Sequence, residues 1–160
     1  MTPSKTPAGF HITIWALLTL VWSANMFWMS TESFSSSETR GVLMQILDLL
    51  DLRLSQFSLG TLHTIMRKSA HVFEYAVLAC LLYRALEGSK EPRWQPQAAR
   101  WCLVACVAFS FSDEFHQLFV RGRGASLTDC GIDIIGVVVG MLLVYRLASF
   151  RKTMATVRAS

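Results

Sequence analysis

Long apolar stretches separated by short polar ones run along most of this chain. The stretch from Phe10 to Met29 carries almost no charge, and its length is about that which a helix needs to cross about 30 Å of hydrocarbon. Three further stretches combine helical periodicity with apolar character, at about 67–86, 98–120 and 127–148. The pattern predicts an all-α protein built as a bundle of four transmembrane helices.

A shorter helix is predicted between the first and second spans, at about 41–55. Its apolar residues fall on one helical face, with the charged residues largely opposite: Leu43, Ile46, Leu47, Leu50 and Leu54. The segment is too short and too charged to span a bilayer, so an amphipathic helix in the membrane interface is expected. A soluble helix that packs on a partner is the alternative.

Composition supports a membrane protein of one domain, residues 1–160. Hydrophobic residues make up 52% of the chain and charged residues 16%, whereas soluble domains carry about 25% charged residues. The formal charge of +4 does not indicate nucleic-acid binding, because the basic residues lie beside apolar runs and form no stripe with exposed aromatics. The four cysteines lie in apolar segments without a CxxC pair and are expected to act as small packing residues.

The distribution of Lys and Arg predicts the orientation. With four spans, both termini and the turn at 87–97 share one side, and nine of the 15 basic residues fall there. The positive-inside rule then places both termini in the cytoplasm. The first span is longer than the 7–15 apolar residues of a signal peptide and is expected to be retained.

Polar residues concentrate at the ends of three predicted helices, towards the outer face. Each of these helices carries its polar residues on one face: Lys68, His71 and Tyr75; Ser110, Asp113, Glu114 and Gln117; Asp129 and Asp133. The last pair continues into Gly136 and Gly140, a spacing that lets membrane helices approach closely. A charged side chain near the membrane midplane is disfavoured by about 2.5–3.5 kcal/mol, so such a cluster predicts a functional site.

The loop before the fourth helix adds further candidates. Arg121 and Arg123 lie in a short Gly/Arg turn, and Ser126 followed by Asp129 has the form of a capping box, which marks a helix start. A metal-dependent enzyme is an open variant, since five side chains are acceptable ligands for a hard cation: His71, His116, Asp113, Glu114 and Asp129. No H-x-x-x-H or H-E-x-x-H spacing supports zinc, however, so neither a metal nor a cofactor is predicted.

Three motifs together resemble the VanZ-like family of small membrane proteins, named for a member linked to teicoplanin tolerance. They are KSAHVFEY at 68–75, SDEFHQ at 112–117 and RGRGASLTDCGIDIIG at 121–136. Where members often carry Pro and Gly in the last loop, this chain has Arg121 and Ala125. The resemblance covers about residues 10–148 and implies a four-helix protein of the bacterial cytoplasmic membrane, with a role in the envelope or in antibiotic tolerance.

Three hypotheses for the polar residues remain open. In the first, they bind an anionic lipid headgroup or a lipid-linked envelope precursor, through these residues: Lys68, His71, Tyr75, Asp113, Glu114, Gln117, Arg123, Ser126, Asp129 and Asp133. In the second, the protein is an enzyme acting on such a lipid, with catalytic candidates His71, Asp113, Glu114 and Asp129. In the third, the charges only lock the helices together and any activity belongs to a protein partner in the envelope.

Overall fold

The computed structural model describes residues 8–31, 36–52, 55–89, 93–120 and 126–159. Within these ranges the chain forms five α-helices and no strand. They are α1 (Ala8–Met29), α2 (Ser36–Leu49), α3 (Gln56–Glu87), α4 (Pro96–Gln117) and α5 (Leu127–Ala159). The prediction of an all-α protein is confirmed.

Helix α3 is the centre of the bundle, since it packs against α1, α4 and α5, whereas α2 touches it only slightly. Helix α1 runs antiparallel to α3 and is tied to it by the Trp22 indole N–H, which donates to the Glu74 carbonyl oxygen at 3.0 Å. Helix α4 is also antiparallel to α3, and the Cys102 thiol donates to the Ala79 carbonyl oxygen at 3.3 Å. Because α5 follows α4 in the opposite direction, it runs parallel to α3.

The most extensive packing joins α3 to α5. At its centre Gly136 faces Val72, and a Cβ atom added to this glycine would lie 2.5 Å from the Val72 carbonyl oxygen. One turn further along, Gly140 is equally close to the Ala76 carbonyl oxygen. Only glycine permits this separation, because real Cβ contacts are not that short. The G-x-x-x-G pair therefore sets the distance between the two helices.

The bundle buries polar side chains and exposes apolar ones. Asp133 is 0% exposed and Glu114 5%, whereas Phe115 on the outer face of α4 is 64% exposed and Leu143 on α5 is 59% exposed. Buried carboxylates together with large exposed apolar side chains are unusual in a soluble protein and fit a membrane environment. Two helices of the described chain are long and apolar enough to cross a membrane by length and composition, over Ile12–Met29 and Leu127–Val157. The composition thus supports two of the four predicted spans, since the buried charges of α3 and α4 lower the apolar character of both.

Several helix ends differ from the predicted ones. Helix α2 ends at Leu49, not near residue 55, in a turn where the Leu52 N–H reaches the Leu47 carbonyl oxygen at 2.9 Å. Asp51 occupies the left-handed region there with φ 51°, which closes a Schellman-type helix end. Residues 53–54 of the predicted amphipathic helix lie outside the described residues. Helix α5 continues to Ala159, well past 148, because the basic tail has no helix-breaking residue.

A buried hydrogen-bond network closes the turn between α3 and α4. The Tyr83 hydroxyl donates to the Arg93 carbonyl oxygen at 2.8 Å and accepts the Gln95 N–H at 2.7 Å. The side chain of Glu87 is 0% exposed, and its carboxylate accepts from the Arg84 guanidinium and from the Arg93 N–H. The sequence predicted only a polar turn at 87–97, so this network is a finding of the structure.

Candidate functional site

The helix directions bring the polar residues of three helices to one end of the bundle. The first half of α3, the end of α4 and the start of α5 are adjacent there. We call the group that meets at this end the three-helix polar cluster. Its described members are Lys68, His71, Tyr75, Ser110, Asp113, Glu114, Gln117, Ser126, Asp129 and Asp133.

Asp133 lies at the centre of the cluster and uses both carboxylate oxygens. Its Oδ1 is 2.9 Å from Nδ1 of His71, and its Oδ2 accepts the Ser110 hydroxyl at 2.6 Å. When Asp133 is a carboxylate, which only accepts hydrogen bonds, His71 donates to it through Nδ1. The pairing fixes the ring of His71 and leaves Nε2 as its atom for further contacts.

Lys68 and Asp129 form the rim of the cluster. The Lys68 ammonium is 3.7 Å from Oδ1 of Asp129, and the two side chains are 46% and 21% exposed. An ion pair this long and this accessible contributes about 0–1 kcal/mol. The ammonium therefore remains accessible to a second anion.

Glu114 fixes the start of α5 from the neighbouring helix. Its Oε2 accepts the backbone N–H of Ser126 at 2.6 Å, one residue before α5 begins. The predicted helix start is thus present, although the carboxylate that caps Ser126 comes from α4. In a capping box that carboxylate would be Asp129, which instead faces Lys68.

Three buried polar atoms of the cluster have no hydrogen-bond partner among the described residues. They are the hydroxyl of Tyr75, Oδ1 of Asp113 and Oε1 of Glu114. The other Asp113 oxygen accepts the Gln117 amide at 3.1 Å. About nine in ten buried polar atoms in folded proteins have a hydrogen-bond partner, so three unpaired atoms in one place suggest that a ligand supplies their partners. The two carboxylate oxygens among them can only accept hydrogen bonds.

Acidic groups outnumber basic ones in the described part of the cluster. Glu114 lies within electrostatic range of Asp113, Asp129 and Asp133. Lys68 and His71 are the basic side chains that the described residues place against these four carboxylates. Arg123, the predicted phosphate-binding residue, lies outside the described residues.

Two further histidines, His116 and His63, are partly or fully buried. The ring of His116 packs on Phe27 of α1, with centroids 4.2 Å apart. His63, near the start of α3, is 9% exposed. Burial lowers the pKa of His63, and the charges of Arg67 and Arg40 lower it further. Both histidines lie outside the cluster.

Among the residues that the structure describes, no three His, Cys, Asp or Glu side chains are arranged to hold a metal ion. Each Asp133 oxygen already contacts one side chain, His71 or Ser110, and Oε2 of Glu114 accepts the backbone N–H of Ser126. These contacts can provide hydrogen bonding, charge pairing and proton transfer at His71.

Comparison with known protein families gives one match over nearly the whole chain. The family model described as VanZ/LLP1 matches residues 10–149. This range includes every described member of the cluster and also Arg123. The comparisons with curated proteins and with solved structures gave no significant match.

Proposed function

Because this chain belongs to the VanZ/LLP1 family of membrane proteins, we propose that its three-helix polar cluster recognises a phosphate-bearing lipid headgroup. The ligand is an anionic phospholipid or a lipid-linked envelope precursor. Recognition takes place in the bacterial cytoplasmic membrane, in the outer leaflet. A contribution to glycopeptide tolerance would follow from binding a precursor of the cell envelope.

We propose that α3 and α4 cross the membrane together with α1 and α5. Their exposed surfaces support this, since the outward side chains of α4 are large and apolar: Trp101, Val104, Phe111 and Phe115. The acidic residues of the same helix, Asp113 and Glu114, are 7% and 5% exposed and face the bundle, whereas the exposed Arg100 lies near the start of the helix. A helix whose charges are enclosed by its neighbours can lie in hydrocarbon despite its composition. The excess of Lys and Arg at the other end of the bundle supports cytoplasmic termini.

The observation that carries the proposal is the combination of an accessible ammonium with buried, unpaired acceptors. Lys68 at the rim pairs only loosely with Asp129, so it can attract a phosphate. Oδ1 of Asp113 and Oε1 of Glu114 lie deeper and accept hydrogen bonds. A headgroup that carries hydroxyl or amine groups beyond its phosphate satisfies both. Arg123, three residues before Ser126 in the sequence, is proposed as a second phosphate ligand.

A purely structural cluster fits these contacts less well. Charges that only lock helices gain most when every buried group is paired, because each unpaired buried polar group costs about 1–3 kcal/mol. Asp133 meets this condition, whereas the unpaired oxygens of Asp113 and Glu114 do not within the described residues. Asp133 therefore holds the helices together, whereas Lys68, Asp113 and Glu114 bind the ligand.

Lipid binding by purified protein tests the proposal. Native mass spectrometry would compare phosphatidylglycerol, which carries a phosphate and two hydroxyls, with phosphatidylcholine, which carries no hydrogen-bond donor. We expect preferential binding of phosphatidylglycerol, and Lys68→Ala to weaken it about tenfold, equivalent to about 1.4 kcal/mol. Arg123→Ala is expected to act in the same direction.

Lys152→Ala is the matched control, because it removes the same charge from the exposed end of α5, far along the chain from the cluster. Its binding of phosphatidylglycerol should stay within twofold of the unmodified protein. Equal binding of the two lipids, or equal losses in the Lys68 and Lys152 variants, would refute headgroup recognition at the cluster.

A second candidate function, an enzyme that hydrolyses a lipid phosphoester, is favoured by the His71–Asp133 pair. A carboxylate bound to Nδ1 orients an imidazole so that Nε2 can take a proton from an attacking water. Lys68 at the rim would stabilise the charge that develops on the phosphoryl oxygens. In this reaction water adds to phosphorus, the bond from phosphorus to the lipid oxygen breaks, and the lipid alcohol leaves with a proton.

Phosphate release from a polyprenyl monophosphate in detergent would test this candidate. We expect His71→Gln to lower the rate at least 100-fold while binding of phosphatidylglycerol changes less than threefold. His116→Gln is the control, since its ring packs on Phe27 outside the cluster. Absence of phosphate release from the unmodified protein would exclude this substrate, and equal losses in both variants would exclude a specific role for His71.

A further inference from the structure

Two apolar grooves run along α5, one on each side of the helix. The first lies between α3 and α5, has a volume of about 370 Å³ and contains Val72, Val77, Leu81, Val139 and Leu143 in its lining. The second lies between α4 and α5, with about 350 Å³ and a lining that includes Leu103, Val138 and Tyr145. Neighbouring residues Val138 and Val139 therefore face different grooves.

The α3–α5 groove starts at the three-helix polar cluster. Its lining begins with Ser69, the residue that follows Lys68, and ends at Leu81. With a rise of about 1.5 Å per residue, these 12 steps span about 18 Å, which slightly exceeds half of a hydrocarbon core of about 30 Å. The groove has the length of one leaflet and has a cation at its upper end.

The close approach at Gly136 and Gly140 lies beside this groove, since the two α3 residues that these glycines face, Val72 and Ala76, are part of its lining. These glycines bring the two backbones together, and the groove lies between the side chains of Val139 and Leu143 on α5 and that of Val77 on α3. Val139 is 38% exposed, so the groove opens away from the bundle. Its surface carries almost no polar atom that an acyl chain would leave unpaired.

We propose that the α3–α5 groove holds one hydrocarbon chain of the lipid whose phosphate contacts Lys68. This inference rests on the proposed headgroup recognition and extends it: headgroup and chain are bound together, and the protein selects a lipid with an anionic phosphate headgroup next to a hydrocarbon chain. The α4–α5 groove differs because its lining includes Trp94 and Arg100, near the start of α4, whereas the cluster residues of α4 lie at the end of that helix.

Photocrosslinking tests the occupant of the groove. The full-length protein is reconstituted in nanodiscs of phosphatidylcholine that contain a trace of phosphatidylglycerol with a diazirine near the end of one acyl chain. We expect crosslinks on peptides covering 76–81 and 139–143. Val139→Trp, which fills the groove, should lower their yield at least fivefold.

Val138→Trp is the control variant, since it adds the same bulk to the same helix on the other groove. Its crosslink yield at 76–81 should stay within twofold of the unmodified protein. Both variants replace exposed side chains and should elute as the unmodified protein does in size-exclusion chromatography.

The outcomes separate the groove from the headgroup site. If Lys68→Ala reduces phosphatidylglycerol binding and Val139→Trp leaves the crosslinks unchanged, headgroup recognition stands and the groove proposal is wrong. If a diazirine-labelled phosphatidylcholine gives the same Val139-dependent crosslinks, the groove takes any chain and its coupling to the headgroup is refuted. If Val139→Trp instead converts a dimer to a monomer, the groove is an interface between copies of this chain and the proposal is overturned.

Discussion

Replacing Asp133 with alanine is expected to lower the free energy of unfolding by about 3–5 kcal/mol, the range for breaking a buried charged pair. The side chain is 0% exposed, and its two oxygens hold the imidazole of His71 and the hydroxyl of Ser110. Alanine would leave two buried donors, on α3 and α4, without an acceptor and would also leave a void. Unfolding in detergent micelles with increasing SDS, followed by circular dichroism, would measure the loss.

Asp129 provides a control for this prediction, because it lies one turn earlier on the same helix and also faces a basic residue of α3. Its pairing with Lys68 is long and accessible, so Asp129→Ala should cost no more than about 1 kcal/mol. Asp133→Asn should fall between the two, since the amide keeps the volume and one acceptor but opposes a donor with its NH₂ group. Equal losses for the two alanine variants would show that Asp133 is not the buried centre of the cluster.

The overall class of this fold can be predicted from the sequence because its signals are local. Helical periodicity and the apolar stretches predict the helices, and the three motifs predict the family, which is confirmed. The ends of the helices are less predictable. The end of α2 depends on a left-handed conformation at Asp51, and the length of α5 depends on the helix tolerating a basic tail.

The pairing within the polar cluster could not be predicted, although its members share helix faces in the sequence. Periodicity shows which residues share a face of one helix, but it does not show which of the four carboxylates pairs with Lys68 or His71. The positions of the helices along the bundle axis determine these pairs: Asp133 with His71 and Asp129 with Lys68. The capping of Ser126 by Glu114 depends on the same positions, whereas the local motif had predicted Asp129.

The network around Glu87 was missed for a related reason. Tyr83 bonds to the backbone of residues 10 and 12 positions later, across a turn rich in Pro and Gly. Such contacts have no periodic signal, because they depend on how the turn folds back on the end of α3. A glutamate and an arginine three residues apart at the end of an apolar helix are the one hint in the sequence.

The close approach of α3 and α5 leads to a second large effect, for which α5 contains its own control. Gly136→Ala and Gly140→Ala would place a methyl group against the carbonyl oxygens of Val72 and Ala76, which belong to the backbone of α3 and can move only if the helices separate. Overpacking of this kind costs about 1–3 kcal/mol. The alanine also raises helix propensity by about 1 kcal/mol, so the net losses should be up to about 2 kcal/mol per site.

Gly131 lies in the same helix, and a Cβ atom there would have no neighbour within 4 Å. Gly131→Ala should therefore retain the gain in helix propensity and stabilise the protein by about 0.5–1 kcal/mol. In SDS titrations the free energy of unfolding should be higher for Gly131→Ala than for the unmodified protein, and lower for the other two variants. Widening the α3–α5 contact should also shift Lys68 of α3 relative to Asp129 of α5, so Gly136→Ala is expected to weaken phosphatidylglycerol binding and Gly131→Ala is not. Equal changes in stability for all three substitutions would show that Gly136 and Gly140 do not set the distance between α3 and α5. The shape of the α3–α5 groove would then not depend on these two glycines.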